Sequence, residues 1–292
     1  MKKVLGNKTA IVIFLLPATL LFTGLIILPM IMSSYYSLLE WDGIGKAVFV
    51  GFNNFVELIK NPTTGFGKSV INSLILTAAA TIGQIPIALF FALVLARGVK
   101  GENKFLSIYF IPVLLSSVII GQLWMKIYHP QFGVLNSFLK SIGLEELCRS
   151  WLGDKSTALA AAIVPIIWQF IGYHTLLLYA GVKSVSPDIR EAALIDGANE
   201  RQMAFKITIP MIKPILKVCV LFAVTGSLKT FDMIYVLTNG GPAHATEVPS
   251  LLMVTTIFER NKYGEGSAIA VFIIIECFVF ALIIQKLFKE KE

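Results

Sequence analysis

Long uninterrupted apolar runs constrain this chain more than any other feature of its sequence. Most of them reach the roughly 20 residues that a helix needs to cross the hydrocarbon core of a bilayer. Because the runs are continuous and do not alternate between apolar and polar residues, they favour transmembrane helices over membrane strands. The sequence predicts an all-α, polytopic membrane protein, a single domain over 1–292, with six transmembrane helices at about 10–38, 70–96, 105–127, 157–180, 212–236 and 268–288.

The overall composition agrees with a membrane protein. Hydrophobic residues make up 56% of the chain and charged residues 15%, whereas soluble domains carry about a quarter charged residues. The net charge of +7 does not by itself indicate nucleic-acid binding, since the basic residues are not part of any aromatic and basic recognition module. Cys148, Cys219 and Cys277 lie far apart without a C-x-x-C pair, so the sequence indicates neither a disulfide framework nor a zinc site.

Positive charge is distributed unevenly between the loops and predicts the orientation. With the N-terminus placed inside, fifteen of the 25 lysines and arginines fall in the inner segments together with seven acids, whereas charges in the outer segments cancel. The positive-inside rule then places both termini in the cytoplasm. The first apolar run continues from Ala10 to about Leu38, which is too long for the core of a cleaved signal peptide, so we expect a retained first span.

A polar segment at about 181–211 interrupts the apolar pattern on the predicted cytoplasmic side. Ser186 is the predicted N-cap of a short helix, Pro187 fits its first position, and Asp188 suits the positive end of the helix dipole. Gly197 is a natural stop, because glycine adopts the left-handed conformation at little cost. A helix of about ten residues is marginal alone in water, so we expect it to pack against something. The residues alone fit an ordinary loop helix as well as a docking element for a cytosolic subunit.

The spacing within this segment resembles the EAA motif of permease subunits of binding-protein-dependent ABC importers. Glu191-Ala192-Ala193 is followed by Gly197 after three residues, and by Ile207-Thr208-Ile209-Pro210 after nine more. Ile209 stands where the family pattern has leucine. Asp196 and Ala198 complete the "DGA" common in sugar permeases. The stretch "LTNGGPAHATE" after the fifth run resembles the outer-loop signature of the carbohydrate branch, in MalF- or UgpA-like subunits, and "FVGFNNFVEL" adds weaker support.

The resemblance implies an ABC importer type I permease fold in the bacterial cytoplasmic membrane, forming half of a pathway for a sugar, oligosaccharide, polyol or sugar phosphate. It implies a MalG-like second permease, two copies of an ATP-binding subunit that hold ATP and Mg, an extracytoplasmic solute-binding protein and membrane lipid as partners. No cofactor bound by this chain and no nucleic acid is expected. The implied coupling segment is 186–210, with docking residues Glu191, Ala192, Ala193, Asp196, Gly197, Ala198, Ile207, Ile209 and Pro210.

Polar residues inside the predicted spans are candidates for a substrate pathway, because polar groups are costly at membrane depth. Tyrosine rings stack on sugar faces and glutamine bonds hydroxyl groups, although interhelical packing is the alternative role. An ion pair within one helix is the alternative for Lys229 and Asp232, which are three residues apart, and a salt bridge to another span is the alternative for Glu276. The candidates are Gln169, Tyr173, Ser227, Lys229, Thr230, Asp232, Tyr235 and Glu276.

Enzyme and channel functions are weaker alternatives. "GFGKS" at Gly65–Ser69 is not a phosphate loop, because Pro62 stands where the first glycine is required. The chain's histidines, His174 among them, are isolated and form no H-E-x-x-H motif, and nothing resembles a selectivity filter. We therefore expect ATP hydrolysis on a separate subunit, and keep a permease for a non-sugar solute, a membrane enzyme and a channel as alternatives.

Overall fold

The computed structural model describes residues 8–289, and helices dominate that range. Contacts between residues divide the chain into two compact units, 1–64 with 252–274 and 65–251 with 275–292. Helices α14 (Pro249–Val254) and α15 (Tyr263–Leu287) each contribute residues to both units.

The first unit begins with a helical stretch made of α1 (Lys8–Phe22), a π-helical turn (Thr23–Ile27) and α2 (Leu28–Tyr36). A short hairpin follows, in which β1 (Leu39–Glu40) pairs antiparallel with β2 (Val48–Phe49), and then α3 (Asn53–Lys60). A 3₁₀ turn (Pro62–Thr64) and a second π-helical turn (Thr255–Glu259) complete its elements. The Asn54 amide nitrogen donates to the Ser37 and Leu39 carbonyls, both at 2.8 Å, and so fixes α3 to the hairpin.

The second unit is built around α4 (Phe66–Leu95) and α8 (Ala158–Lys183), which pack against each other more extensively than any other pair of described elements. Small residues permit this close packing, as is usual between membrane helices. Gly83 faces the Ile167 side chain across the interface, and Gly172 faces the Tyr109 backbone.

The other elements of the second unit are α5 (Glu102–Leu114), α6 (Ser117–Ile127), α7 (Val134–Ser141), a 3₁₀ turn (Glu145–Leu147), α9 (Pro187–Ile195), α10 (Glu200–Gln202), a π-helical turn (Met203–Thr208), α11 (Ile209–Met211), α12 (Lys213–Leu228) and α13 (Asp232–Thr238).

All six predicted apolar runs are largely helical, and four of the described helices are long and apolar enough to cross a membrane: 11–36, 66–95, 158–183 and 263–287. Two further spans result if each of two bent helix pairs counts as one. None of the residues from 11 to 36 is buried within the chain, so this helix is an apolar surface along its whole length.

The span predicted at 105–127 is divided into two helices. Helix α5 ends at Leu114 and α6 begins at Ser117, with their axes bent by 97°. Pro112 lies in the last turn of α5, where its ring and missing N–H interrupt helical hydrogen bonding. The Ser116 side chain then accepts a hydrogen bond from the Val118 N–H at 3.3 Å and caps α6. A proline followed by a serine cap thus divides the run into two helices.

The span predicted at 212–236 is likewise divided into two helices. Helix α12 ends at Leu228, and α13 begins only at Asp232. No proline or glycine occupies 228–232. Instead, the Ser250 hydroxyl donates to the Thr230 carbonyl, which has left the helical ladder. A side chain distant in sequence therefore stabilises the break by satisfying a backbone group that would otherwise be unpaired.

Candidate functional site

The predicted docking helix is α9, and its two ends match the sequence analysis. The Ser186 hydroxyl accepts a hydrogen bond from the Asp188 N–H at 3.3 Å, and Pro187 occupies the first helical position. At the other end, Gly197 adopts a φ of +78°, the left-handed conformation that we expected. The Ala198 N–H donates to the Ala193 carbonyl at 2.9 Å and so closes the last turn. Local backbone chemistry therefore fixes where this helix starts and stops.

The second half of the coupling segment is helical but irregular. Asn199 and Gln202 form a reciprocal capping box, with each side chain accepting from the other residue's backbone N–H at 2.9 Å. The π-helical turn that follows contains Ile207, and Ile209 and Pro210 open the short α11. The α-helical hydrogen-bond pattern is thus interrupted by the π-helical turn and again at Ile212, just before α12.

Exposure separates the predicted docking residues into three groups. Ala193 is 7% exposed and packs within the chain itself, so its small side chain suits internal packing. Ala198, Ile207 and Ile209 are half-buried. The residues that face outward are Glu191, Ala192, Asp196, Gly197 and Pro210.

Three large apolar side chains in the same segment are more than half exposed, and the sequence analysis missed them. Leu194 is 57% exposed, Ile195 86% and Phe205 70%. Adjacent exposed apolar side chains, such as Leu194 and Ile195, are typical of interaction surfaces. The available signal was their position, since Leu194 and Ile195 directly precede the Asp196-Gly197-Ala198 triplet.

Ion pairs connect the predicted cytoplasmic elements. The Arg97 guanidinium, just after α4, lies 3.3 Å from the Glu200 carboxylate at the start of α10. The Lys183 ammonium at the end of α8 lies 3.5 Å from the Glu102 carboxylate at the start of α5. Because these side chains are partly exposed, each pair contributes only about 0–1 kcal/mol. The Arg97–Glu200 pair is therefore a weak restraint between the coupling segment and α4.

A cavity of about 420 Å³ lies between α4, α6, α8, α12 and the break before α13. Its lining includes Gln84 and His174, together with aromatic side chains that include Phe170, Phe222 and Phe231. Gln84 is a lining residue that the sequence analysis missed. Six of the eight predicted pathway residues line the cavity: Gln169, Tyr173, Ser227, Lys229, Thr230 and Asp232.

The other two pathway candidates lie elsewhere. Tyr235 stacks on the Phe231 ring with the ring centres 5.3 Å apart, and it does not line the cavity. Glu276 lies on α15, where its side chain is 8% exposed and its Oε2 has no hydrogen-bond partner in the described part of the chain. Neither residue is therefore brought to the cavity with the other six.

The proposed alternative for Lys229 and Asp232, an ion pair within one helix, is wrong. Lys229 follows the end of α12 and Asp232 begins α13, so the two do not share a helix. The ion pairs among residues 8–289 do not include one between them. Both side chains are exposed, so the break presents one cation and one anion beside the cavity.

The loop that carries "LTNGGPAHATE" is fastened to the start of α4. The Lys68 ammonium donates to the Ala243 carbonyl at 3.1 Å, and the Asn72 amide donates to the Glu247 carbonyl at 2.9 Å. The His244 ring nitrogen Nδ1 lies 2.9 Å from the Glu247 carboxylate. Lys68, the lysine of "GFGKS", therefore bonds to the backbone of this loop.

Comparisons with known proteins agree on one family. A sequence model described as "Binding-protein-dependent transport system inner membrane component" matches residues 84–291. YurN of Bacillus subtilis, named as a probable ABC transporter permease, is 34% identical over 97% of this chain and 97% of its own. The trehalose/maltose transport system permease protein MalF of Thermococcus litoralis is 31% identical over 94% and 92% of the two chains. A chain in the crystal structure of a bacterial alginate ABC transporter shares the fold, with a TM-score of 0.83 and 24% identity over 95% and 94% of the chains.

Proposed function

Because the chain belongs to the family of binding-protein-dependent transport system inner membrane components, we propose that it forms half of the translocation pathway of an ATP-driven importer. Its relatives are permeases of ABC transporters, so the chain is a multi-pass membrane transporter subunit and not an enzyme. The proposed cargo is a sugar, an oligosaccharide or a related polyol or sugar phosphate. The name of the Thermococcus relative, which refers to trehalose and maltose, supports a carbohydrate.

Energy enters this proposed importer through the coupling segment. Caps at both ends fix α9, so the helix moves as a rigid body when a partner pushes on it. Outward-facing Glu191, Asp196 and Ile195 offer charge and apolar contacts to an ATP-binding subunit. The Arg97–Glu200 pair links the same segment to α4, whose Gln84 lines the cavity. This pair is one weak link between the coupling segment and the helix that carries Gln84.

The proposed assembly has a second, MalG-like permease, two copies of an ATP-binding subunit that hold ATP and Mg, and an extracytoplasmic solute-binding protein. The charge distribution supports an arrangement in the cytoplasmic membrane with both termini and the coupling segment in the cytoplasm. In that orientation the loop carrying "LTNGGPAHATE" faces the solute-binding protein. This chain needs no cofactor of its own in the proposed cycle.

The observation that carries the coupling proposal is the left-handed Gly197, which has no other atoms within 4 Å of the position of a Cβ. A β-branched residue there would meet no steric neighbour, but its backbone conformation would cost roughly 1–2 kcal/mol. The direction of the chain after α9 would change, and a partner that recognises the helix by shape would dock poorly.

The test uses Gly197→Val and Glu191→Lys in the complete transporter in membrane vesicles. Uptake of a panel of radiolabelled sugars and the ATPase activity stimulated by loaded binding protein should both fall sharply, at normal permease abundance. Gly143→Val is the matched control, because Gly143 has a φ of +77° and equally open surroundings but lies between α7 and α8. Wild-type uptake in both coupling variants would refute the proposed role of the segment.

A further inference from the structure

Four buried polar side chains around the cavity have hydrogen-bonding capacity that the chain does not use. We call them the polar quartet: Gln84, Gln169, His174 and Ser227, which are 2%, 4%, 2% and 5% exposed. Leaving a buried donor or acceptor unpaired costs about 1–3 kcal/mol for each group. An occupant of the cavity that carries several hydroxyl groups would pair with the unused polar atoms that face it.

The quartet differs from other buried amides of the same unit. The Gln84 amide donates one hydrogen to the Ile166 carbonyl at 3.2 Å, which leaves its oxygen and a second N–H unused. By contrast, the Asn136 amide donates to two carbonyls, at 3.0 and 2.9 Å, and accepts from the Trp151 indole at 2.8 Å. Unpaired hydroxyls also occur away from the cavity, at Ser73, Thr77 and Thr81 of α4. The unused capacity of the quartet therefore indicates a ligand only because these four residues line one open cavity.

His174 makes no side-chain hydrogen bond to any residue in 8–289. Its Nδ1 is enclosed without a partner, so an occupant of the cavity can pair only with the other ring nitrogen, Nε2. Its ring meets the Tyr173 ring edge-on, with the centres 5.3 Å apart. Neither Gln169 nor Ser227 uses its side chain in a hydrogen bond within the same range. The side chains of Gln169 and Ser227, and the Nε2 atom of His174, therefore depend on an occupant of the cavity for a partner.

Charge limits what can bind beside the quartet. The quartet contains no carboxylate, lysine or arginine, and the charged lining residues, Lys229 and Asp232, are exposed and of opposite sign. A carboxylate or phosphate held by the quartet would lose its hydration without gaining a buried cation. Such uncompensated burial costs several kcal/mol for each ion, so an uncharged ligand is favoured.

The remaining lining suits the C–H faces of a sugar ring. Tyr173, Phe170 and Phe222 present aromatic surface to the cavity, and aromatic groups beside a few polar groups are typical of small-molecule sites. We propose that the polar quartet selects an uncharged sugar ring over a uronate or a sugar phosphate, with Gln84 and His174 as specificity-determining residues. This inference rests on the proposed function and narrows its substrate class.

The first experiment measures uptake by the complete transporter in vesicles for glucose, maltose and trehalose and for their single-deoxy analogues. The kcat/KM of uptake for each sugar is normalised to the affinity of the binding protein for that sugar. Differences between sugars in the normalised value then reflect the permease and not the binding protein. Gln84→Met and His174→Phe should lower the normalised kcat/KM of the best substrate by about 10- to 100-fold, the cost of losing a buried hydrogen bond. His174→Gln, which keeps a donor and an acceptor, should recover part of that loss.

The matched control is Thr175→Val, at the next position along α8. Thr175 is 0% exposed and its hydroxyl donates to the Ile171 carbonyl at 2.8 Å, outside the cavity lining. Its uptake should stay within about twofold of wild type. The deoxy analogues give a second readout. One single-deoxy sugar should be taken up less well than its parent sugar by wild type, but equally well by His174→Phe. A histidine with only a structural role would not produce this difference.

The second experiment compares glucose with glucuronate and with glucose 6-phosphate under the same normalisation. Wild type should disfavour both anions. A higher normalised uptake of either anion than of glucose would overturn the inference, as would wild-type uptake of neutral sugars by both Gln84→Met and His174→Phe. Failure of the wild-type transporter to import any sugar, with intact assembly and ATPase activity, would instead overturn the carbohydrate cargo of the proposed function.

Discussion

Replacing Gly172 with alanine should push α5 away from α8. A Cβ at this position would lie 1.8 Å from the Tyr109 carbonyl oxygen, 2.4 Å from its carbonyl carbon and 3.0 Å from the Phe110 nitrogen. A carbon and a carbonyl oxygen require about 3.3 Å between them. The neighbouring atoms belong to backbone, so no change of side-chain rotamer relieves the clash, and α5 has to retreat by about 1.5 Å.

The expected loss of stability in Gly172→Ala is the difference between two opposing effects. Overpacking a well-packed interface costs typically 1–3 kcal/mol, and a backbone neighbour favours the upper end of that range. Alanine in a helix interior recovers up to about 1 kcal/mol relative to glycine. The net loss is then about 2 kcal/mol, which lowers the Tm of a chain of this size by roughly 4–8 °C.

Thermal unfolding of the purified transporter in detergent measures this loss. Gly226→Ala is the control, because Gly226 lies inside α12 with nothing within 4 Å of its Cβ position, and its Tm should stay equal or rise. Uptake by Gly172→Ala should also fall, since Gln169 and Tyr173 flank the glycine and line the cavity. Equal Tm values for Gly172→Ala and Gly226→Ala would refute the close approach of the two helices.

Three further predictions concern topology, energy supply and coupling. In a cysteine-free background, Lys206→Cys and Ala243→Cys should react with impermeant thiol reagents from opposite faces of the membrane, and labelling of both from one face would contradict the predicted orientation. The isolated chain should not turn over ATP, because Lys68 donates to a loop carbonyl and not to a phosphate; hydrolysis that Lys68→Ala abolishes would show the reverse. Arg97→Glu should reduce uptake by up to about fivefold through repulsion of Glu200, and adding Glu200→Arg should restore most of it, whereas unchanged uptake in both would deny the pair any role.

The features that sequence predicted well are those set by local chemistry. Ser186 and Gly197 define the ends of α9 through side-chain capping and a left-handed φ, and both depend only on residues a few positions away. The length of an apolar run predicts that a segment crosses the membrane, but it does not show whether the segment is one straight helix or two helices joined by a bend. A signal for the break between α5 and α6 existed in Pro112. The break after Leu228 had none, since the residue that stabilises it is Ser250.

For the cavity, too, residues marked by their neighbours in sequence were predictable, whereas residues brought there only by packing were not. Ser227, Thr230 and Asp232 were predictable because they form one polar stretch within an apolar run. Gln84 was missed, although an amide in an apolar run is itself costly, because nothing in sequence relates it to α8. Glu276 carries the same local signal as the others, yet it does not line the cavity. Polarity at membrane depth therefore identifies candidates, and packing decides which of them meet.

The bend between α5 and α6 also affects how the chain enters the membrane during synthesis. The two helices have 13 and 11 residues, so at 1.5 Å per residue they measure about 20 and 17 Å, and neither crosses a hydrocarbon core of about 30 Å alone. Helix α5 gains its main support from α8, at Gly172, which the ribosome adds later. We therefore expect this segment to reach its final position only after α8 has been synthesised.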